Sequence, residues 1–191
     1  LVSLQQNGER VLGADVTARR IAEVRFLRAH FYYKLITVWY QVPWVDEVAF
    51  SNNTVEQISN TEFTHEQLML KLIDEFQAAY DVLPTTQQDG GRVNKIAAAS
   101  YLAKCYLDLA WGDGYEATTG VEHINRDYMQ RVVDFTDDVV NSQYGYLDDF
   151  GDIFLPENKN SRESIFAVQT SQYTEDNTSY GRANWSITLN G

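Results

Sequence analysis

Residues 18–44 read ARRIAEVRFLRAHFYYKLITVWYQVPW, and this stretch decides the fold. It has the pattern of one long helix. Pro43 disfavours helical geometry at Val42, so the helix is expected to end near Tyr40 and to occupy roughly 18–41. Two apolar stripes at helical spacing run along it. One is Ile21, Val24, Leu27, Phe31, Leu35 and Val38; the other is Ala22, Phe26, Ala29, Tyr33, Ile36 and Tyr40. They lie on nearly opposite sides and leave Glu23, His30, Lys34 and Thr37 as a narrow polar face. A helix apolar on two sides is expected to be packed on two sides, which places Trp39 in a buried helix. The stretch is too short and too charged for a membrane span. Arg25 and Arg28 fall within the apolar arc. At least one of them is therefore expected to be buried against a carboxylate or backbone carbonyls.

Outward from this helix, residues 1–17 are polar and contain Gly8 and Gly13, as in the tail of an earlier helix followed by a loop. Residues 44–63 form a long connection rich in Asn, Ser, Thr and Val. A second helix is expected over roughly 64–83, with Thr64 and Gln67 as a capping box and Pro84 as its stop. Its core stripe is Leu68, Leu72, Phe76, Ala79 and Leu83. A third follows the N-cap Asn94 to about Trp111. Its small residues Ala97, Ala98, Ala99, Ser100 and Ala103 let a neighbouring helix approach closely. A fourth runs over roughly 126–141 from Asn125, with Tyr128, Val132, Phe135 and Val139 as its stripe. Glu163, Ile165, Phe166 and Val168 then switch to a strand-like pattern. Beyond Thr170 no apolar period survives, and Tyr173, Tyr180 and Trp185 stand among Asn, Ser, Thr and Gly, as in an exposed aromatic loop.

The fold class expected is mainly α: tetratricopeptide-like antiparallel helix pairs, an α-α superhelix, with long irregular loops and a short strand near the C-terminal end. Residues 1–191 make one domain on this reading, with helix pairs over 1–162 and the strand and aromatic loop over 163–191.

Composition narrows the partner. The net charge is −12, from 27 acidic and 15 basic residues, which argues against nucleic acid because phosphate binding needs clustered Lys and Arg. Cys105 is the one cysteine and sits in an apolar helix, so it reads as a buried inert thiol. His30, His65 and His123 lack metal-ligand spacing. Phosphate-binding glycine loops are absent. Asp137-Asp138 and Asp148-Asp149 read as solvated acidic surface rather than catalytic pairs, and Asp148, Asp149 and Asp152 lack calcium-loop spacing. No catalytic residue, metal ligand or cofactor is assigned. Aromatics outside the helical stripes are the ligand candidates, because sugar rings present flat C–H faces on which Tyr and Trp stack. These are Trp44, Trp111, Tyr115, Tyr180 and Trp185, with Arg182 and Asn184 beside the last to bond hydroxyls.

Several motifs carry a resemblance. Glu23-Val24-Arg25-Phe26-Leu27-Arg28-Ala29, the run Phe31-Tyr32-Tyr33, and Tyr40-Gln41-Val42-Pro43 resemble the signature helix of the SusD/RagB family. In that family the turn is Gly-Asp-Val-Pro-like; here Tyr40 stands at the Gly and Gln41 at the Asp. GRVNKIAAASYLAKCYLDLA over 91–110 is similar to its second signature, and DYMQRVVDFTDDVVNSQYGYLDDFGDIF over 127–154 to its next segment. Glu163, Ile165, Phe166 and Val168 are similar to its Ile-Phe strand, after which the family places a long loop, here carrying Tyr180 and Trp185. The resemblance spans about residues 18–169 and agrees with the helix-pair reading. It implies a non-enzymatic surface lipoprotein of Bacteroidota at the cell outer membrane. Such a protein holds an oligosaccharide or polysaccharide for a SusC-like TonB-dependent transporter, needs no cofactor, and touches the membrane only through a lipid anchor. The resemblance places that anchor before Leu1 and a further C-terminal part after Gly191. The rivals are a helical-repeat adaptor that binds only protein and a glycan-processing enzyme.

Overall fold

The computed structural model of the chain describes residues 1–89, 91–112 and 124–169. Six α-helices follow in order: α1 Val2–Leu12, α2 Ala14–Trp39, α3 Glu47–Ser51, α4 His65–Val82, α5 Lys95–Trp111 and α6 Arg126–Val140. The caps read from sequence all form. Thr64 Oγ1 accepts from the Gln67 amide while the Gln67 side chain accepts from the Thr64 amide. The Asn94 side chain accepts from Ala97 N, and that of Asn125 from the amides of Asp127 and Tyr128. Each satisfies first-turn donors that have no partner within the helix.

Ties at both ends of each pair set the directions. The end of α2 meets the start of α4 where the Tyr40 ring stacks on His65, and the start of α2 meets the loop after α4 where Glu23 binds Arg92. The end of α5 meets the start of α4 at Asp108–His65, and the start of α5 lies against the end of α4 at Lys95 N to Pro84 O. Asn125 N donates to Ala110 O, while Asn94 Nδ2 donates to the Tyr144 hydroxyl. So α2, α4, α5 and α6 stack in order, each antiparallel to the last, as the helix-pair pattern required.

The core lies between these helices. Leu68, Leu72, Phe76, Ala79 and Leu83, the stripe expected of α4, are all buried. Phe26 of α2 crosses Phe76 edge-on at 5.3 Å and Tyr101 of α5 at 5.5 Å. Ala97, Ala98 and Ala99 are each at most 1% exposed, so α5 is approached closely on that side. Cys105 is fully buried, and burial pushes its thiol far above the ordinary range, so it is inert.

Several expectations are corrected. α2 starts at Ala14, not near 18, because Gly13 at φ 82 is the whole turn between α1 and α2. Of the two apolar stripes of α2, only the second contributes buried residues, Ala22, Phe26, Ala29 and Ile36, while its Tyr33 is half-buried and its Tyr40 exposed. Phe31, Val38 and Trp39 are 60%, 69% and 64% exposed, so Trp39 is not in a buried face. His30, placed on the narrow polar face, is 4% exposed and points inward, its Nδ1 2.6 Å from the Tyr101 hydroxyl. The small residues Ala22 and Ala29 explain the choice: they let α4 come close, which Leu27 and Phe31 would prevent. The 44–63 connection contains α3 and a 3-10 turn at Val55–Gln57. The short strand expected over 163–169 does not form. That segment has no ladder partner among the described residues. It docks through side chains instead, with Phe166 edge-on to Phe26 at 5.3 Å.

Arg25 and Arg28 converge on Glu75, whose side chain is 9% exposed. Arg25 Nε and Nη2 donate to its two oxygens at 3.2 and 3.1 Å, and Arg28 also reaches Glu47 at 2.7 Å. The pairing expected of them is present. Their side chains remain 32% and 19% exposed, so both are half-buried rather than fully enclosed.

Candidate ligand-binding groove

Where α2 ends, the chain must turn within one residue to reach Pro43. Tyr40 makes that turn at φ 64 and ψ −52, a conformation that suits glycine and costs a tyrosine about 1–2 kcal/mol. Neighbours hold it there. Its amide donates to Ile36 O at 2.8 Å, and its ring lies parallel to His65 with centroids 4.2 Å apart. His65 in turn presents Nδ1 to Tyr40 O at 3.3 Å and Nε2 to Asp108 Oδ1 at 2.7 Å. One chain of contacts thus links α2, α4 and α5.

Beside this chain lies a groove of about 520 Å3. Tyr33, Ile36, Thr37 and Tyr40 line it from α2, His65 from α4, and Lys104, Leu107, Asp108 and Trp111 from α5. Trp111 is 47% exposed and Tyr40 45%. Gly112 closes α5 at φ 71, a conformation in which a Cβ is disfavoured. Burial pushes the Tyr33 phenol up to about 12, with Asp108 adding to the shift, so it meets a ligand as a neutral hydroxyl. The lining therefore offers large aromatic surface together with a few donors and acceptors, the composition of sites that hold small polar molecules by their apolar faces.

The residues proposed from sequence fall out unevenly. Trp111 lines the groove. Trp44 does not: it is 8% exposed, stacked on Tyr32 at 4.4 Å and covered by Lys71 at 5.4 Å, so neither face is open to a ligand. Tyr115, Tyr180, Arg182, Asn184 and Trp185 lie outside the described residues. Sequence reasoning missed Tyr33, Tyr40, His65, Lys104 and Asp108. The one available signal was Tyr40 standing where the resembling motif has Gly; His65 and Asp108 are brought together only by the fold. Among the described residues no three His, Cys, Asp or Glu side chains are placed to hold a metal ion, and no helix is long and apolar enough to cross a membrane.

Comparison with known proteins places this fold. A SusD-like protein of Bacteroides ovatus is 29% identical over 153 residues, which is 79% of this chain and 26% of that protein. A SusD-like protein from Bacteroides fragilis superposes with a TM-score of 0.66 at 21% identity, over 92% of this chain and 32% of its own. Surface glycan-binding protein A from Bacteroides thetaiotaomicron, solved in complex with laminarihexaose, gives 0.64 at 20%, over 85% of this chain and 30% of its own. The chain thus spans about a quarter to a third of the length of these relatives. Residues 12–107, half of the sequence, match the SusD-like family described as starch-binding and associating with the outer membrane, and the chain belongs to that family.

Proposed function

We propose that the chain is part of a non-enzymatic glycan-binding protein of the bacterial outer-membrane surface. It holds an oligosaccharide for a SusC-like TonB-dependent transporter, and the groove between α2, α4 and α5 contacts the sugar. The observation that carries this reading is the half-exposed pair Trp111 and Tyr40 beside Lys104 and Asp108. Family membership and the glycan complex of a structural relative support it. A ring stacked on Trp111 buries apolar surface that no charge is needed to hold, which suits a chain of net charge −12.

The test is calorimetry of the chain with a panel of neutral oligosaccharides that includes laminarihexaose. Trp111→Ala is expected to weaken binding by about 1–2 kcal/mol. Its melting should change little, as for an exposed position. Unchanged affinity for the sugar that binds would remove the groove from the site. The rival adaptor reading is favoured by the exposed apolar stripe Leu27, Phe31, Leu35, Val38 and Trp39. It requires that no sugar in the panel binds.

A further inference from the structure

A second groove, of about 480 Å3, lies between the early turns of α2 and the loop after α4. The first groove is lined by α2 from Tyr33 onward and this one only as far as Glu23, so at about 1.5 Å per residue the two are separated by roughly 15 Å along the helix. Arg20 and Arg92 converge here on Glu23, whose side chain is 12% exposed, and Arg19 lines the same groove. Arg20 Nη1 donates to Glu23 Oε2 at 2.8 Å, and Arg92 donates from Nε to Oε1 at 3.1 Å and from Nη2 to Oε2. Arg92 thus grips the Glu23 carboxylate bidentately, the geometry in which a guanidinium binds an oxyanion. Burial pushes the Glu23 carboxyl up, outweighing the lowering by Arg20, so this internal anion is held at some cost.

Arg19 is exposed, and no hydrogen bond or ion pair engages it among the described residues. With Asp89 counted beside Glu23, the lining still carries a surplus cation in a chain of net charge −12. Thr86 and Gln88 add neutral hydrogen-bonding groups suited to hydroxyls, and no aromatic ring takes part among the described residues. We infer that this groove binds an oxyanion, carboxylate or sulfate, carried on a hydroxylated ring: an acidic sugar unit, gripped by Arg19 together with Arg20 and Arg92. The inference goes beyond the aromatic groove and does not rest on it.

The test follows the arginine Nε–H resonances of the chain by NMR at low salt, with sodium glucuronate, glucose 6-sulfate and glucose as probes. Glucuronate, the sulfate or both are expected to shift Arg19, Arg20 and Arg92 along saturating curves, and which of them saturates tells carboxylate from sulfate. Glucose is expected to leave these signals in place. Arg19→Gln should weaken the binding about fivefold, since one charge-assisted contact is lost at a wet site. Glu23→Gln should strengthen it about fivefold, because Arg20 and Arg92 no longer serve an internal anion. If a melt shows Glu23→Gln to be unfolded, Arg19→Gln decides alone. Shifts that do not saturate and appear equally at Arg126 and Arg131 would mean ordinary counter-ion screening and overturn the inference. So would saturation by glucose at the same resonances, or affinity unchanged in Arg19→Gln.

Discussion

Tyr40 shows a residue fixed by its neighbours against its own preference. Alanine at position 40 would keep the unfavourable φ and lose the stack on His65, whereas glycine would lose the stack but relieve the backbone. Tyr40→Gly is therefore expected to melt later than Tyr40→Ala, the two differing by about 1 kcal/mol in denaturant titrations. Equal stabilities would mean that the turn relaxes when the ring is removed. His30 is the other residue at odds with its surroundings. Its ring sits among Phe26, Phe31, Tyr101 and Phe166, with Nε2 lacking a partner among the described residues, and Lys34 and Lys104 lie near enough to oppose a further positive charge. Burial first, then these lysines, lower its folded-state pKa below the ordinary 6.5. The unfolded chain therefore binds a proton that the folded chain refuses. The contribution of His30 to stability is complete above about 6.5 and falls as pH drops from there through the lowered folded value. His30→Phe removes this dependence. A melting series from pH 7 to pH 5 is expected to fall less steeply in the variant, and parallel curves would show that His30 titrates normally.

At the scale of elements, the joint between α2 and α4 depends on Glu75, which two guanidinium groups share. Arg25→Ala leaves Arg28 on the carboxylate, so it is expected to cost only about 1–2 kcal/mol, less than for a fully enclosed pair. Glu75→Ala strands two half-buried cations and is expected to cost about 2–4 kcal/mol. Chemical denaturation of both variants checks the order, and Arg25→Ala as the costlier change would refute the sharing. The element scale is also where the sequence was most legible. Thr64 with Gln67, Asn94 and Asn125 marked three helix starts to within a residue, because caps are local chemistry. Which stripe of α2 turns inward was not legible, since periodicity weighs Leu27 and Ala29 alike while close packing against α4 favours the smaller. The 163–169 segment failed as a strand for a related reason. Ile165 and Phe166 have strand-like side chains, but a strand also needs a neighbour, and helix side chains took that place.

For the molecule as a whole, the candidate site was less legible than the fold, because a groove collects residues that the sequence separates. Tyr40, His65 and Asp108 meet only once α2, α4 and α5 are stacked, and nothing in their spacing announces it. The same stacking sets how the molecule opens. α4 is packed between α2 and α5, and α5 between α4 and α6, while α1 packs chiefly on α2. α1 also contributes little buried apolar surface: its one buried residue is Gly8, pressed against Thr17. Helices held on both sides lose two interfaces when they unfold, and a helix held on one side loses one. Amide exchange is therefore expected to be slowest in α4 and α5 and fastest, among the long helices, in α1. An alanine Cβ at Gly8 would come within 2.5 Å of Thr17 Cγ2, so Gly8→Ala should push α1 off α2. We expect it to accelerate exchange in α1 by roughly ten- to a hundredfold, corresponding to about 1–3 kcal/mol of overpacking, while protection in α4 and α5 stays near that of the parent chain. A loss of protection spread evenly over all the helices would show instead that the stack opens as one unit, with α1 as much a part of it as α4.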